Sequence, residues 1–285
     1  MSAEVSVQQA LVAATRRLTE AGIDGASRDA RLLMAHALQI APSRITLVAP
    51  DLLNFEAQAA FDLCIVRRIQ REPVSHIIGR RSFYGREFYV SADVLDPRPE
   101  TEILVQEALT KPFASVLDMG VGSGAILLSL LAEMPLAKGQ GSDVSEAALK
   151  VAKYNADQIG VAKRARFTQS DWFEAITGTF DLIVSNPPYI ALDEMPSLSP
   201  ELSHEPRMAL TDEQDGLSAY RIIAAGALAH LSPRGRIYLE IGPTQGPSVA
   251  DMLLAQGVKG VRIIPDLDGR DRVVCGVAPV SVRAV

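Results

Sequence analysis

The chain has 285 residues, 48% of them hydrophobic and 22% charged, a balance that fits one sizeable folded domain with a smaller one and excludes a largely disordered polymer. The net charge of −6 is unevenly spread: residues 1–80 hold 9 Lys and Arg against 8 Asp and Glu, and the remainder 19 against 26. Proteins that wrap nucleic acid draw much of their affinity from a basic surface, so the acidic larger part weighs against a DNA or RNA substrate, and no direct nucleic-acid partner is expected.

The two cysteines, Cys64 and Cys275, are far apart and belong to no C-x-x-C or Cys/His cluster, so both read as small buried hydrophobes in a reducing compartment. His36, His76, His204 and His230 show no ligand spacing, and no metal is expected. The first ten residues lack the basic start and apolar run of a secretory leader, and no stretch has the length of a membrane span. A cytoplasmic protein acting as a monomer, without a membrane partner, is the expectation.

In chain order, Leu11, Ala14 and Leu18 recur at helical spacing. Ser27 offers an N-cap for a second helix over 28–38, and Phe61, Ile65 and Ile69 form one stripe of a third helix beginning near Asn54. Residues 1–72 therefore read as a small helical bundle, either a simple extension packed on a main domain or a substrate-docking module. Residues 73–98 form a linker. Within it Phe83, Tyr84, Phe88, Tyr89 and Val90 surround Gly85, the pattern of a β-hairpin, and Asp96-Pro97-Arg98-Pro99 holds the backbone extended before a helix over 100–109.

From 99 onward short strands alternate with helices: strands at 115–118, 139–143, 165–170, 180–185 and 236–241, and helices after Gly124, at 145–159, at 217–230 and at 244–256. Two last β-runs, 261–265 and 272–277, are joined by Asp266-Leu267-Asp268-Gly269 as a hairpin. The expected fold is α/β, a mostly parallel, doubly wound sheet of seven strands closed by an antiparallel C-terminal hairpin. That arrangement resembles class I S-adenosylmethionine-dependent methyltransferases, which are Rossmann-like, although other doubly wound folds share the same pattern.

Asp118-Met119-Gly120-Val121-Gly122-Ser123-Gly124 follows the first strand of this sheet and opens a helix, where glycines let backbone approach a bound nucleoside. Such a turn alone is weak, and the carboxylates around it add weight. Asp143 ends the second strand 19 residues after Gly124, near the spacing expected of a carboxylate that bonds ribose hydroxyls. Its structural alternative is to cap the following helix, a task Ser145 can perform. Asp171 and Trp172 end the third strand, where class I methyltransferases place an acidic group for the adenine amine and an apolar ring beside the base; core packing is the ordinary alternative for a lone tryptophan. A nicotinamide dehydrogenase would need G-x-G-x-x-G, and the turn here is G-x-G-x-G.

The buried-strand run at 180–185 delivers Asn186-Pro187-Pro188-Tyr189 to the carboxyl edge of the sheet beside the glycine turn. An amide or aromatic amine nitrogen is a poor nucleophile because its lone pair is delocalised, so aiming that lone pair matters more than a strong base. The Asn186 side-chain oxygen and the Pro187 carbonyl can each accept one N–H of an NH₂ group; the two prolines stiffen the loop, and Tyr189 can cover the acceptor plane. A structural Asn-Pro turn is the plain alternative. The long stretch 191–216, with Glu205-Pro206 and Asp215-Gly216, reads as a lid over the acceptor or as a solvated crossover.

Taken together the chain resembles the protein-(glutamine-N5) methyltransferases of the release factor type. The likeness runs through Asp29-Ala30-Arg31-Leu32-Leu33, Arg71-Glu72-Pro73-Val74, Ile78-Gly79, Phe83-Tyr84-Gly85 and Pro97-Arg98-Pro99-Glu100-Thr101-Glu102. It continues through the glycine turn, Asn186-Pro187-Pro188-Tyr189, Glu205-Pro206 and Gly269-Arg270-Asp271-Arg272. The resemblance implies methyl transfer from S-adenosyl-L-methionine to the side-chain amide of the glutamine in the Gly-Gly-Gln loop of class I peptide chain release factors. It also implies that the N-terminal helices help to engage the factor, that residues 120–124, Asp143, Trp172 and Asn186 contact the cofactor, and that Asn186-Pro187-Pro188-Tyr189 receives the glutamine. Two positions depart from the family pattern: Val121, where Thr is more frequent, and Asp96, where an apolar residue is usual. Glutamine methylation of a ribosomal protein and amino-methylation of a nucleic-acid base are the alternatives.

Overall fold

The computed structural model describes residues 5–280. The chain divides into two compact units, a helical one up to Arg80 that also contains Ser199–His204, and an α/β one made of Arg81–Leu198 and the chain from Glu205 onward.

The helical unit is built from α1 (Val7–Glu20), α2 (Ala26–Ala37), α3 (Phe55–Ile69) and the short α4 (Val74–Ile78). Ser6 begins α1 with a capping box: its hydroxyl accepts the Gln9 N–H at 3.3 Å while the Gln9 side chain accepts the Ser6 N–H at 2.9 Å. Ala14 and Leu18 are buried as their spacing predicts, with Val7 and Ala10 beside them rather than Leu11. The second helix starts earlier than the sequence suggests. Gly25, at φ +72°, is its N-cap and Ser27 lies inside the first turn, because a left-handed glycine lets the chain turn into the helix two residues sooner. The third helix begins beside Asn54 as expected, and Asn54 caps it, accepting the Ala57 N–H at 2.7 Å. Arg68 of α3 is almost fully buried and bonds Asp29 at 2.9 Å and Glu201 at 3.1 Å, so the segment Ser199–His204 is held to this unit by a buried cation between two carboxylates.

The α/β unit opens with the hairpin β1 (Arg80–Phe83) and β2 (Arg86–Tyr89), whose turn residues Tyr84 and Gly85 both have positive φ, as a tight two-residue hairpin turn requires. A single 3₁₀ turn, Pro99–Thr101, then leads into α5 (Glu102–Ala108). Next come β3 (Ser115–Met119), α6 (Ala125–Glu133), β4 (Lys138–Asp143), α7 (Glu146–Ile159), β5 (Ala165–Gln169) and β6 (Phe180–Ser185). The unit ends with α8 (Ser218–His230), β7 (Leu231–Glu240), α9 (Gly246–Ala255), β8 (Lys259–Pro265) and β9 (Asp271–Val277).

The seven strands of the main sheet lie in the order β5-β4-β3-β6-β7-β9-β8, parallel except for β9, which runs antiparallel to both of its neighbours. Apolar residues of α5, α6 and α7, among them Leu104, Leu127 and Leu149, cover one face; Tyr220 and Ile223 of α8 and Val249 and Leu253 of α9 cover the other. Each such fully buried Leu or Ile contributes about 1.5–3 kcal/mol relative to exposure. Both cysteines are buried, Cys64 in the helical unit and Cys275 in β9.

The sequence places the start of β7 at Arg236, whereas pairing begins at Leu231, opposite Phe180, and resumes at Arg236 opposite Leu182. The four residues between bulge out, and Pro233 and Gly235 among them hide the strand from a pattern search. Strand order reverses between β3 and β6, whose last residues, Met119 and Ser185, pair side by side. The carboxyl ends of strands at such a reversal are where open α/β sheets bind ligands.

Candidate active site

Four strand ends converge there. After β3 the chain forms the glycine turn, with Gly120, Gly122 and Gly124 at φ +69°, +52° and +84°. A Cβ placed on Gly120 or Gly122 would meet no atom within 4 Å, so these two backbones face open space. On Gly124 it would strike Leu128 at 2.8 Å, so that glycine serves close packing of the helix instead. The turn is held from three sides. The Val121 N–H donates to the Ser142 carbonyl at 2.9 Å and the Gly122 N–H to an Asp143 oxygen at 3.0 Å. The Ser123 carbonyl accepts from Asn155 of α7 at 2.8 Å. Asn155 is fully buried and also pairs with both the N–H and the carbonyl of Tyr89, clasping the hairpin to the same turn.

Asp143 divides its carboxylate between Gly122 and the Ser145 N–H, the latter at 2.9 Å. Ser145 is the N-cap of α7, accepting the Ala148 N–H, so Asp143 is not consumed by that task. Burial raises the Asp143 carboxyl above its ordinary range, and the backbone bonds from Ser145 and Gly122 oppose the rise. Asp118 is fully buried. One of its oxygens accepts the Leu127 N–H at 3.1 Å, the other has no hydrogen-bond partner, and burial pushes its pKa up to about 8, with neighbouring Asp143 adding to the rise. At neutral pH it is a largely protonated acid supporting the first turn of α6.

A cleft lies over these strand ends, enclosing about 1060 Å³ of empty space with its open mouth included. Of the residues singled out from sequence, Gly120, Val121, Gly122, Ser123, Asp143, Asp171, Trp172, Asn186 and Pro188 line it. Asp118, Gly124, Pro187 and Tyr189 are not among the residues that line it. Trp172 takes φ +44°, an uncommon conformation for a large side chain, and its carbonyl accepts from the Ser170 hydroxyl at 2.9 Å. The exposed backbone of the glycine turn, with carboxylates at Asp143 and Asp171 and an indole packed on the apolar core, fits a nucleoside ligand with hydroxyl and amine groups to donate.

Asn186 follows β6, and its amide nitrogen donates to the Thr101 hydroxyl at 3.5 Å. The Ser185 hydroxyl donates to the Met119 carbonyl at 2.7 Å, fixing the spacing between the glycine turn and Asn186. Gln245 donates to the Tyr189 carbonyl at 2.9 Å, and burial, with Glu240 adding to it, pushes the Tyr189 hydroxyl up to about 12. On the far rim Pro206 and Met208 line the cleft, and Glu205 anchors their loop: its carboxylate takes the Arg98 guanidinium at 2.6 Å and the Asp96 N–H at 3.2 Å. Asp96, one of the two departures from the family pattern, thus contributes its backbone here, while its side chain is buried 3.5 Å from Arg81. Val121, the other, is among the lining residues, with its side chain packed in the core over Gly141.

Sequence reasoning missed the wall formed by Asp93, Val94, Leu95, Arg98 and Thr101. It also missed Glu240, a fully buried carboxyl whose signal was a lone charge within the apolar run Ile237-Tyr238-Leu239-Glu240-Ile241.

Residues 9–79 match the family model of the PrmC N-terminal domain, and residues 88–216 that of the methyltransferase small domain. A release factor glutamine methyltransferase of Cereibacter sphaeroides is 54% identical over 273 residues, spanning 95% of this chain and 98% of its own. This chain belongs to the release factor glutamine methyltransferase family. A relative of the same name from Caulobacter vibrioides is 44% identical over 96% of each chain. Among solved structures, a methyltransferase from Pyrococcus furiosus aligns with 70% of this chain and 91% of its own at a TM-score of 0.54; at 17% identity it speaks for the fold alone. That fold is the class I methyltransferase sheet with its antiparallel C-terminal hairpin.

Proposed function

We propose that this chain transfers the methyl group of S-adenosyl-L-methionine to the side-chain amide nitrogen, N5, of the glutamine in the Gly-Gly-Gln motif of class I peptide chain release factors. The observation that carries this reading is that Asn186 and Pro188 share one cleft with the glycine turn and Asp143, in a chain 54% identical to a protein named for that activity.

In this reading the Gly120 and Gly122 backbones admit the cofactor's nucleoside at close range, Asp143 accepts from its ribose hydroxyls, Asp171 accepts from the adenine amine, and Trp172 supplies an apolar wall. When bound, S-adenosylmethionine supplies an electrophilic methyl group on a sulfonium. The work left to the protein is to present a weak nucleophile. The Asn186 side-chain oxygen and the Pro187 carbonyl accept the two N–H bonds of the glutamine amide and aim its lone pair at the methyl group, so that the N–C bond forms as the methyl's bond to sulfur breaks and one N–H proton is then released to solvent. As the nitrogen gains positive character those two bonds strengthen, so they favour the transition state over the ground state. Pro188 and Tyr189 hold the loop; Tyr189 does so through its carbonyl, fixed by Gln245.

Residues 1–72 serve in this reading as the docking module, 73–98 as the linker and 99–285 as the catalytic domain. The reaction belongs to the cytoplasm, where release factors act. Among the described residues no helix is long and apolar enough to cross a membrane.

Purified protein with labelled S-adenosylmethionine is expected to label a class I release factor, and replacing the Gly-Gly-Gln glutamine by alanine is expected to abolish labelling. Undiminished labelling of that variant, or transfer to DNA or to a ribosomal protein instead, overturns the assignment. Asn186→Ala is expected to lower turnover by roughly 10²–10³-fold with the fold intact, the cost of removing one such acceptor.

A further inference from the structure

Beside the reaction cleft, and outside the tetrapeptide, the structure holds a short chain of buried polar groups. Thr101, in the 3₁₀ turn before α5, accepts from the Asn186 amide nitrogen at 3.5 Å, and its side chain faces the Glu240 carboxyl, whose charged form it favours. Thr101 and Glu240 are both almost completely buried, and Glu240 Oε2 has no hydrogen-bond partner. Glu240 ends β7, the strand beside β6, and is one residue beyond Leu239, the partner of Ser185. The backbone around it is also fixed: the Tyr220 hydroxyl donates to the Glu240 carbonyl at 2.7 Å.

We propose that Glu240 and Thr101 are positioning residues that set the polarity of the Asn186 amide, holding its NH₂ inward and its oxygen toward the acceptor. An ionised carboxyl can only accept, so it takes the single Thr101 hydroxyl proton; the threonine oxygen then has only lone pairs to offer and must face the Asn186 NH₂. Asparagine is nearly symmetrical in shape, and packing alone does not choose between its two amide orientations. The wrong one would set an NH₂ against the NH₂ of the acceptor glutamine. The inference rests on the proposed role of the Asn186 oxygen and adds how that oxygen is aimed.

Protonation of Glu240 would undo the order, since a neutral carboxyl can donate to Thr101 and free its proton to point at the Asn186 oxygen. Burial pushes the Glu240 carboxyl up to about 7, against the pull of the Thr101 bond and of the Arg272 charge; Glu100 adds to the rise and Arg98 opposes it. Tyr189 and Tyr220 also neighbour Glu240, and both stay protonated throughout the neutral range.

The test compares wild type with Thr101→Val, Thr101→Ser, Glu240→Gln and Asn186→Ala, following turnover against pH alongside equilibrium binding of S-adenosylhomocysteine and the side-chain amide NMR signals of Asn186. Thr101→Val is expected to lower kcat about 10- to 100-fold, the scale of a misaimed reactant, while S-adenosylhomocysteine affinity stays within about twofold. Thr101→Ser should restore most of the rate. In wild type kcat should rise through a midpoint near 7 together with a shift of the Asn186 amide signals. Both changes should vanish in Glu240→Gln. A Thr101→Val enzyme with normal kcat, or an unchanged pH limb and amide titration in Glu240→Gln, overturns the relay while leaving the Asn186 reading standing. Normal turnover in Asn186→Ala overturns that reading itself.

Discussion

Replacing Asp143 by asparagine removes the charge from the group that joins the glycine turn to the start of α7. In the native chain its two oxygens each accept one backbone N–H, from Gly122 at 3.0 Å and from Ser145 at 2.9 Å. An asparagine keeps one oxygen and sets an NH₂ against the other donor, so one bond to a charged acceptor is lost and a donor is left without a partner. Such a loss costs about 1.5–3 kcal/mol. Because the turn must hold its shape for ligand to bind, and the proposed ribose contact weakens with it, S-adenosylhomocysteine affinity should fall by about 10- to 100-fold, each 1.4 kcal/mol being tenfold. Isothermal titration of wild type and Asp143→Asn gives the ratio directly. The pH dependence supplies a second, signed check. Burial raises the Asp143 carboxyl, so wild-type affinity should drop as the pH is lowered and the carboxylate takes up a proton, whereas the asparagine variant should stay flat. Affinity within twofold of wild type at neutral pH, with the same acid limb in both proteins, would refute the role given to this carboxylate.

Three further outcomes follow from the same geometry. Gly120→Ala and Gly124→Ala should fail differently. The first carries only the cost of a left-handed alanine, about 1–2 kcal/mol in a denaturant melt, yet puts a methyl into the cleft and so weakens ligand binding more than stability; the second adds a 2.8 Å clash with Leu128 and should be the less stable. Asp118, ordinarily near 3.8 and here about 8, keeps a proton that the unfolded chain gives up. Native stability should therefore fall as the pH rises from about 4 to about 8, and the difference between wild type and Asp118→Asn in urea melts should show that slope; a constant difference would contradict it. Glu205→Ala should remove the carboxylate that takes the Arg98 guanidinium at 2.6 Å and the Asp96 N–H at 3.2 Å, costing about 1–3 kcal/mol, and limited proteolysis should then cut near Met208 faster than in wild type.

What the sequence made legible was what repeats or what has a fixed local chemistry. The strands at 180–185 and 261–265 and the start of the third helix near Asn54 were found because apolar runs and helical stripes act within a few positions of themselves. The glycine turn and Asn186 stood out because few structures require that spacing. The parts missed depend on distant partners. Gly25 replaced Ser27 as a cap because of a backbone angle, and the bulge in β7 depends on its pairing with β6. Thr101 meets Asn186 across 85 positions of sequence. Asp118 and Tyr189, singled out as site residues, do not line the cleft: Asp118 is fully buried, and Tyr189 is partly buried against the apolar cluster beneath α8 and α9. Neighbours in a motif need not be neighbours in a cavity.

Asn155 has a bearing on how damage to this protein would be read. Its side chain ties the Ser123 carbonyl to both backbone groups of Tyr89, so the curvature of the glycine turn is partly dictated by a residue that belongs to no recognisable signature. A variant altered only at 155, or in the hairpin, would keep every motif residue and would pass any inspection based on motifs, yet its defect would surface as poor cofactor retention. Inherited or engineered sequence changes in this fold therefore need to be judged by what holds a signature in place as much as by whether the signature is intact.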